Sequence, residues 1–292
     1  MNRAKFESKV VFKVIDCLSN SSPDGLFNED ALGAVSTGAW MIDGATVVSD
    51  RAPLVAGTTD AAWLAGRLNV ELRFALDGPD VDPIQALTKV EANIRTSFLA
   101  TDREISRPVG EQPNAALALA ALQGELLHLI GAADCRIIYE AHTGEIGEFN
   151  PSDNGAVESL IIAERSRLVA EFPAQDFRPR LKGFIRTLRE LANQDDGYSV
   201  IHPTRAWSTR VRRETHEADK IRHLLLVSDG LYRLVDVFRV TTPIGLMQRA
   251  LAKDLTQLYS ELRGLELADG DCIKYPRVKV HDDASALLIA LT

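Results

Sequence analysis

Four short acidic signatures stand in order along the 292-residue chain. They are Asn28-Glu29-Asp30-Ala31, Ile42-Asp43-Gly44, Val227-Ser228-Asp229-Gly230 and His281-Asp282-Asp283-Ala284-Ser285. The last three abut apolar runs that read as strands: Ala39-Trp40-Met41-Ile42, His223-Leu224-Leu225-Leu226-Val227 and Ala286-Leu287-Leu288-Ile289-Ala290. A carboxylate at the end of a buried strand is held rigidly at a sheet edge. Several of them converging would form a hard, oxygen-rich site suited to Mg²⁺ or Mn²⁺. Each signature also has an ordinary reading. Asp43-Gly44 can make a turn, Asp229 can cap a helix, and Asp282-Asp283 can sit in a solvated hairpin. Adjacent acids crowd negative charge, however, and a divalent cation relieves it.

Other chemistries lack their signals. The chain has no phosphate-binding Gly-x-x-x-x-Gly-Lys-Ser/Thr, no Gly-x-Gly-x-x-Gly, no Cys-x-x-Cys and no His-Glu-x-x-His. A Gly-x-Ser-x-Gly nucleophile elbow is also missing. Cys17, Cys135 and Cys272 are far apart and odd in number, which suggests reduced thiols rather than disulfides or a zinc knuckle. His281 beside Asp282 reads as a loop histidine outside any ligand shell. A net charge of −8 argues against non-specific nucleic-acid binding and anionic membranes. Hydrophobic content of 46% and charged content of 25% are those of a soluble domain with a sizeable core. The first residues lead into no signal-peptide hydrophobic region, and no run reaches the ~18 apolar residues of a membrane span. The expectation is a cytoplasmic protein with a single domain over residues 1–292.

The elements that must carry the acids follow from periodicity. Lys9 to Ile15 reads as an opening strand and Ser19 to Asp24 as a loop. A short strand is expected through Ala31 to Val35 and a buried one over Ala39 to Ile42, ended by Asp43-Gly44. Thr59 or Asp60 caps a helix to about Leu76, and a second runs from Asp82-Pro83 to Leu99. Ala115 to Tyr139 is Ala- and Leu-rich enough for helix, yet Pro113, Gly124 and Gly131 favour sheet with a hairpin at Gln123-Gly124. Two helices are expected at about Val157–Phe172 and Arg178–Gln194, then a short strand over Tyr198–Ile201. Arg205 to Lys220 reads as a charged loop or ribbon. Leu224 to Val227 is a buried strand, Leu231 to Phe238 starts a short helix, and Pro243 to Leu262 reads as one long amphipathic helix. Ala286 to Leu291 closes the chain as a strand. Strands, then paired helices, then strands again indicate an α+β layered domain.

In this order the acidic segments resemble the metal-dependent protein serine/threonine phosphatases of the protein phosphatase 2C type. The matching stretches are Glu29-Asp30-Ala31, Asp43-Gly44, Ala133-Asp134-Cys135-Arg136, Ser228-Asp229-Gly230 and Asp282-Asp283-Ala284-Ser285. The resemblance implies a four-layer α-β-β-α sandwich, with two mainly antiparallel sheets between helix pairs. It also implies two Mn²⁺ or Mg²⁺ ions. Asp43 would bridge them, the Gly44 carbonyl would complete the second shell, and Asp229 and Asp282 would ligate the first. Glu29 and Asp30 would hold metal-bound waters, and Asp134 would adjoin an optional third ion. Paired cations lower the pKa of a bridging water, which would attack a phosphoserine or phosphothreonine in line. The implied partner is a phosphorylated protein, a kinase target, with no nucleic acid or membrane involved.

Several positions depart from the family pattern. Asp43-Gly44 is followed by Ala45-Thr46, so no histidine stands there to protonate the leaving group. Ala133 and Cys135 replace the glycine and serine of a Gly-Asp-Ser-Arg hairpin. No arginine lies in Ser19 to Phe27 to hold phosphate; Arg51 is the substitute candidate, with a plain surface arginine as its ordinary reading. Two alternatives therefore stand beside the protein phosphatase: a weak or inactive phosphatase-like binding or regulatory module, and a phosphatase of a small phosphorylated metabolite.

Overall fold

The computed structural model describes residues 10–78, 80–101, 107–151, 155–252 and 254–292. Among the described residues, ten strands form two five-stranded antiparallel sheets. One sheet holds β1 (Phe12–Asn20), β10 (Ala284–Leu291), β9 (Ile221–Val227), β6 (Arg136–Ala141) and β7 (Ile146–Phe149), in that order. The other holds β2 (Asp30–Val35), β3 (Gly38–Gly44), β4 (Ala115–Gln123), β5 (Leu126–Ala132) and β8 (Arg212–Glu217).

Period-two alternation sorts the side chains of these strands into layers. On β3, Ala39 and Met41 pack between the sheets with Leu224, Leu226, Leu287 and Ile289. Trp40 and Ile42 point the other way, onto Leu64, Leu68 and Leu72 of α1 (Asp60–Leu76), beside α2 (Pro83–Thr101). On the far side, Ile138, Leu225 and Leu288 pack on Leu246 of α6 (Pro243–Ala252) and on Leu258 and Leu262 of α7 (Leu255–Ala268). Each such fully buried side chain contributes about 1.5–3 kcal/mol. The result is the expected four-layer α-β-β-α sandwich. Two further helices, α3 (Gly155–Glu171) and α4 (Ala174–Arg189), pack on each other and flank the open end of the sheets.

Local signals explain the best-placed elements. Thr59 caps α1, its hydroxyl accepting from the Ala62 amide at 3.1 Å. Gly124 turns the β4–β5 hairpin at φ +59°, which glycine adopts without strain. Other expectations are corrected. Pro243 to Leu262 is two helices, because Asp254 caps a new one by accepting from the Gln257 amide at 2.9 Å. Asp16 of β1 also accepts from the Leu255 amide, at 3.0 Å. Tyr198 to Ile201 forms only isolated bridges, to Ala192 and Ala115. The charged segment supplies edge strand β8, whose alternating charges suit an exposed sheet edge. β1 runs on through Asn20, and Leu231 to Phe238 yields only the four-residue α5 (Asp229–Tyr232).

Two glycines bring backbones into contact at the sheet ends. A Cβ on Gly44 would lie 2.7 Å from the Glu29 carbonyl oxygen and 2.9 Å from that of Ala61. A Cβ on Gly230 would lie 1.8 Å from the Asp283 carbonyl oxygen, which is backbone and cannot swing aside. Gly230→Ala is therefore expected to destabilise the protein by about 2–3 kcal/mol through overpacking, read as a lowered midpoint in urea unfolding.

Candidate metal centre

Asp43 lies two residues beyond Met41 on the same strand, so its carboxylate continues the face that looks into the gap between the sheets. Asp30 is its register partner on β2, and Ala116 its partner on β4. Ala116, Ala118 and Ala120 line that face with small side chains. Asp229 opens α5 directly after β9, and Asp282 precedes β10. These two strands are neighbours, with Val227 opposite Ala286, so the two aspartates meet at one end of the sheet. Asp134 occupies the β5–β6 turn after Ala133, whose left-handed φ of 62° suits the glycine it replaces. Four sequence-distant segments thus converge on a cavity of about 850 Å³ lined by Asp43, Asp134, Asp229 and Asp282.

The proximity of these acids shows in their titration. Burial pushes Asp43 well above the ordinary carboxylate value, and Asp229, Asp30, Asp282 and Asp134 add to the shift. Asp30 is likewise raised by burial and by Asp283, Asp282 and Asp229. Asp229 is raised by burial and Asp282, while a hydrogen bond from Asp43 eases it. Asp134 rises to about 7 through burial, Asp229 and Glu158. Burial also raises Glu29, whose Oε1 accepts from the Thr59 hydroxyl at 2.7 Å. Asp282 behaves oppositely: its burial is outweighed by Lys279 and Arg233, which hold it below the ordinary value.

A second set of side chains fixes the acids. Arg233 donates from Nη2 to Asp282 Oδ2 at 2.7 Å and from Nη1 to the fully buried Glu266 of α7 at 2.9 Å. Arg263 pairs with Glu266 and donates to the Asp282 carbonyl at 2.6 Å. Lys279 Nζ pairs with Asp282 Oδ1 and donates to Thr46 Oγ1 at 2.8 Å. Asp283 clamps the β1–β2 loop, accepting from the Ser22 and Glu29 amides, each at 2.6 Å. His281 bonds Asp24 at 2.6 Å, on the loop.

The donor set is chemically that of a hard divalent cation. Asp30 is 7% exposed, and neither of its carboxylate oxygens has a hydrogen-bond partner. The nearby Ser285 hydroxyl gives its hydrogen to Ser19 Oγ instead, at 3.0 Å. A buried carboxylate without donors is costly, and a cation in the adjoining gap would satisfy it. The side chains would have to draw inward to do so: among the described residues, no three His, Cys, Asp or Glu side chains stand ready to hold one ion.

The structure brings Asp30, Asp43, Asp134, Asp229 and Asp282 into mutual electrostatic contact, with Gly44 on the cavity wall and Glu29 next to Asp283. Arg51 is not brought there. Its Nε donates to Glu111 Oε2 at 3.1 Å, outside the cavity lining. Sequence reasoning missed Lys279, Arg233, Glu158 and Arg189, all of which line the cavity. The only available hint was Lys279 standing three residues before Asp282, a spacing without meaning until the loop is seen.

The shifts set a pH dependence. Asp134 and Asp236 move from 3.8 to about 7 on folding, so the native state holds more protons than the unfolded chain between those values. Through these two groups the stability of the metal-free protein is therefore expected to fall as pH rises from about 4 to about 7. Urea midpoints measured across that range in EDTA check the sign.

No protein-family model and no curated protein matches the sequence. Solved structures do match. The serine/threonine phosphatase PstP/Ppp of Mycobacterium tuberculosis aligns over 96% of this chain and 99% of its own, at TM-score 0.57 and 14% identity. The catalytic domain of PstP in complex with two manganese ions aligns over 97% and 100%, at the same TM-score of 0.57 and 14% identity. The phosphatase Stp1 of Staphylococcus aureus aligns over 100% and 99%, at TM-score 0.54 and 14% identity. Layers, sheet pairing and nearly full-length alignment agree: this chain has the α+β sandwich fold of the bacterial protein phosphatase 2C-type serine/threonine phosphatases.

Proposed function

We propose that the chain is a metal-dependent phosphatase acting on phosphoserine or phosphothreonine in proteins. The observation that carries this reading is the convergence of Asp43, Asp134, Asp229 and Asp282 on one cavity, with Asp30 beside Asp43, in the fold of serine/threonine phosphatases. Asp43, Asp229 and Asp282, with the Gly44 carbonyl, would hold divalent cations such as Mn²⁺ or Mg²⁺. Asp134 would adjoin an optional third ion, and Glu29 and Asp30 would orient bound water. When bound, the cations supply an activated water and offset charge on the phosphoryl oxygens.

The chain's own residues set the rest. Burial raises both Asp43 and Asp229, so binding a cation there would displace protons. Arg189 sits on the cavity wall, buried, with Nη2 donating to the Thr46 carbonyl at 2.9 Å. Arg178 and Lys182 of the same helix line the wall nearer its start. An acidic end facing basic side chains suits a phosphate ester: the basic groups attract the dianion and the acid end holds the cations. Arg189 therefore takes the phosphate-orienting role expected of Arg51. Among the described residues no helix is long and apolar enough to cross a membrane.

The test is hydrolysis of p-nitrophenyl phosphate and of a phosphothreonine peptide with Mn²⁺ present. Activity should vanish in EDTA, and Asp43→Asn and Asp229→Asn should each lower kcat by at least about 100-fold. Undiminished turnover in both variants would remove the assignment.

A further inference from the structure

The acid cluster is divided by its partners. Asp282 has both oxygens engaged by cationic side chains: Lys279 Nζ on Oδ1 and Arg233 Nη2 on Oδ2 at 2.7 Å. The Asp283 amide also donates to Oδ1, at 3.0 Å. Asp30, across the gap, has neither oxygen engaged. Asp282 thus has direct cationic partners on both oxygens, and the Asp30 oxygens have none.

The lysine is aimed by its loop. Arg277, 2% exposed, pins that loop by donating to Asp269 Oδ2 at 2.6 Å, to the Asp269 carbonyl at 2.7 Å and to the Val280 carbonyl at 3.1 Å. The Lys279 ammonium then reaches Asp282 and also Thr46, on the segment just after Asp43-Gly44. It bridges the two strand ends between which a second ion would lie. An ammonium is a compact charge with three donors, able to contact several oxygens at once as a metal ion does.

We propose that the Lys279 ammonium replaces one of two divalent cations, so that the centre takes a single ion at Asp30, Asp43 and Asp229 while Lys279 and Arg233 keep Asp282. This rests on the metal-dependent reading above. It makes the chain a mononuclear variant of a fold seen elsewhere with two manganese ions. With one cation, charge on the phosphoryl oxygens would be shared between that ion and the lysine.

The experiment is Mn²⁺ stoichiometry of the full chain by native mass spectrometry, with electron paramagnetic resonance to separate mononuclear from spin-coupled dinuclear manganese. Wild type, Lys279→Met and Lys279→Arg are compared at equal free Mn²⁺, each checked for folding by circular dichroism. The expected result is one ion in wild type, two with a coupled signal in Lys279→Met, and one in Lys279→Arg, which keeps the charge. Two ions in wild type would overturn the inference and leave the phosphatase proposal standing. One ion in both wild type and a folded Lys279→Met would also overturn it, since the lysine would not be what excludes the second. No ion in wild type but binding in Lys279→Met would overturn the single-ion inference, since the lysine would exclude metal altogether, and the catalytic reading with it. No ion in any folded variant would overturn both.

Discussion

Mutual repulsion among carboxylates in one low-dielectric gap is the constraint around which this molecule is organised. Asp30, Asp134, Asp229 and Asp282 each raise the free energy of ionising Asp43. At such range, in a partly dry site, each uncompensated pair costs on the order of a few kcal/mol. The fold keeps the acids together because it gives them no alternative. Asp30 and Asp43 are locked in register by the β2–β3 ladder, and Gly230 lets the Asp229 turn lie against the backbone of Asp283.

The scaffold and the site are consequently one structure. The two sheets are filled between by leucine, isoleucine and methionine, with small alanines along β4 at Ala116, Ala118 and Ala120, and Ala116 lies opposite Asp43. A large side chain at Ala116 would close the space the carboxylates occupy. Helix α7 serves both sides. Its leucines bury the outer face of one sheet, while Glu266 and Arg263 reach through Arg233 to hold Asp282. A buried ionic network of this kind adds little net stability, yet removing one member strands the others. Its value here is to fix where Asp282 points.

What the sequence disclosed and what it concealed divide along physical lines. Asp43, Asp229 and Asp282 were legible because each abuts a strand-like apolar run; Asp229 and Asp282 flank neighbouring strands of one sheet, and Asp43 ends a strand of the other. The β4–β5 hairpin was legible because Gly124 occupies the position that needs positive φ. The break between α6 and α7 was not, because the leucine spacing continues across it. What ends the pattern is Asp254 together with Asp16, which is remote in the chain. Tyr198 to Ile201 has strand composition but meets β4 only at its first residue, Ala115, and Ala192 outside any strand, so single bridges form and no ladder, and composition says nothing about neighbours. Arg51 was chosen for its nearness in sequence to Asp43. The buried arginine on the cavity wall, Arg189, comes from a helix about 140 residues further on, a distance no local pattern spans.

Lys279 belongs to the same hidden class, and its placement changes how the acid cluster is to be counted. Read from the sequence, the acids are equivalent and call for as many cations as the family pattern holds. In the structure they are unequal. Asp282 is depressed because Lys279 and Arg233 outweigh its burial, whereas Asp30 and Asp43 are raised by burial and by the neighbouring aspartates. A divalent ion entering at Asp282 must first displace a lysine that costs nothing further to dehydrate. One entering beside Asp30 displaces only protons and relieves a buried carboxylate that accepts no hydrogen bond. The free-energy gain is therefore concentrated at the Asp30–Asp43–Asp229 end, and the order in which the positions fill follows from the side chains already there.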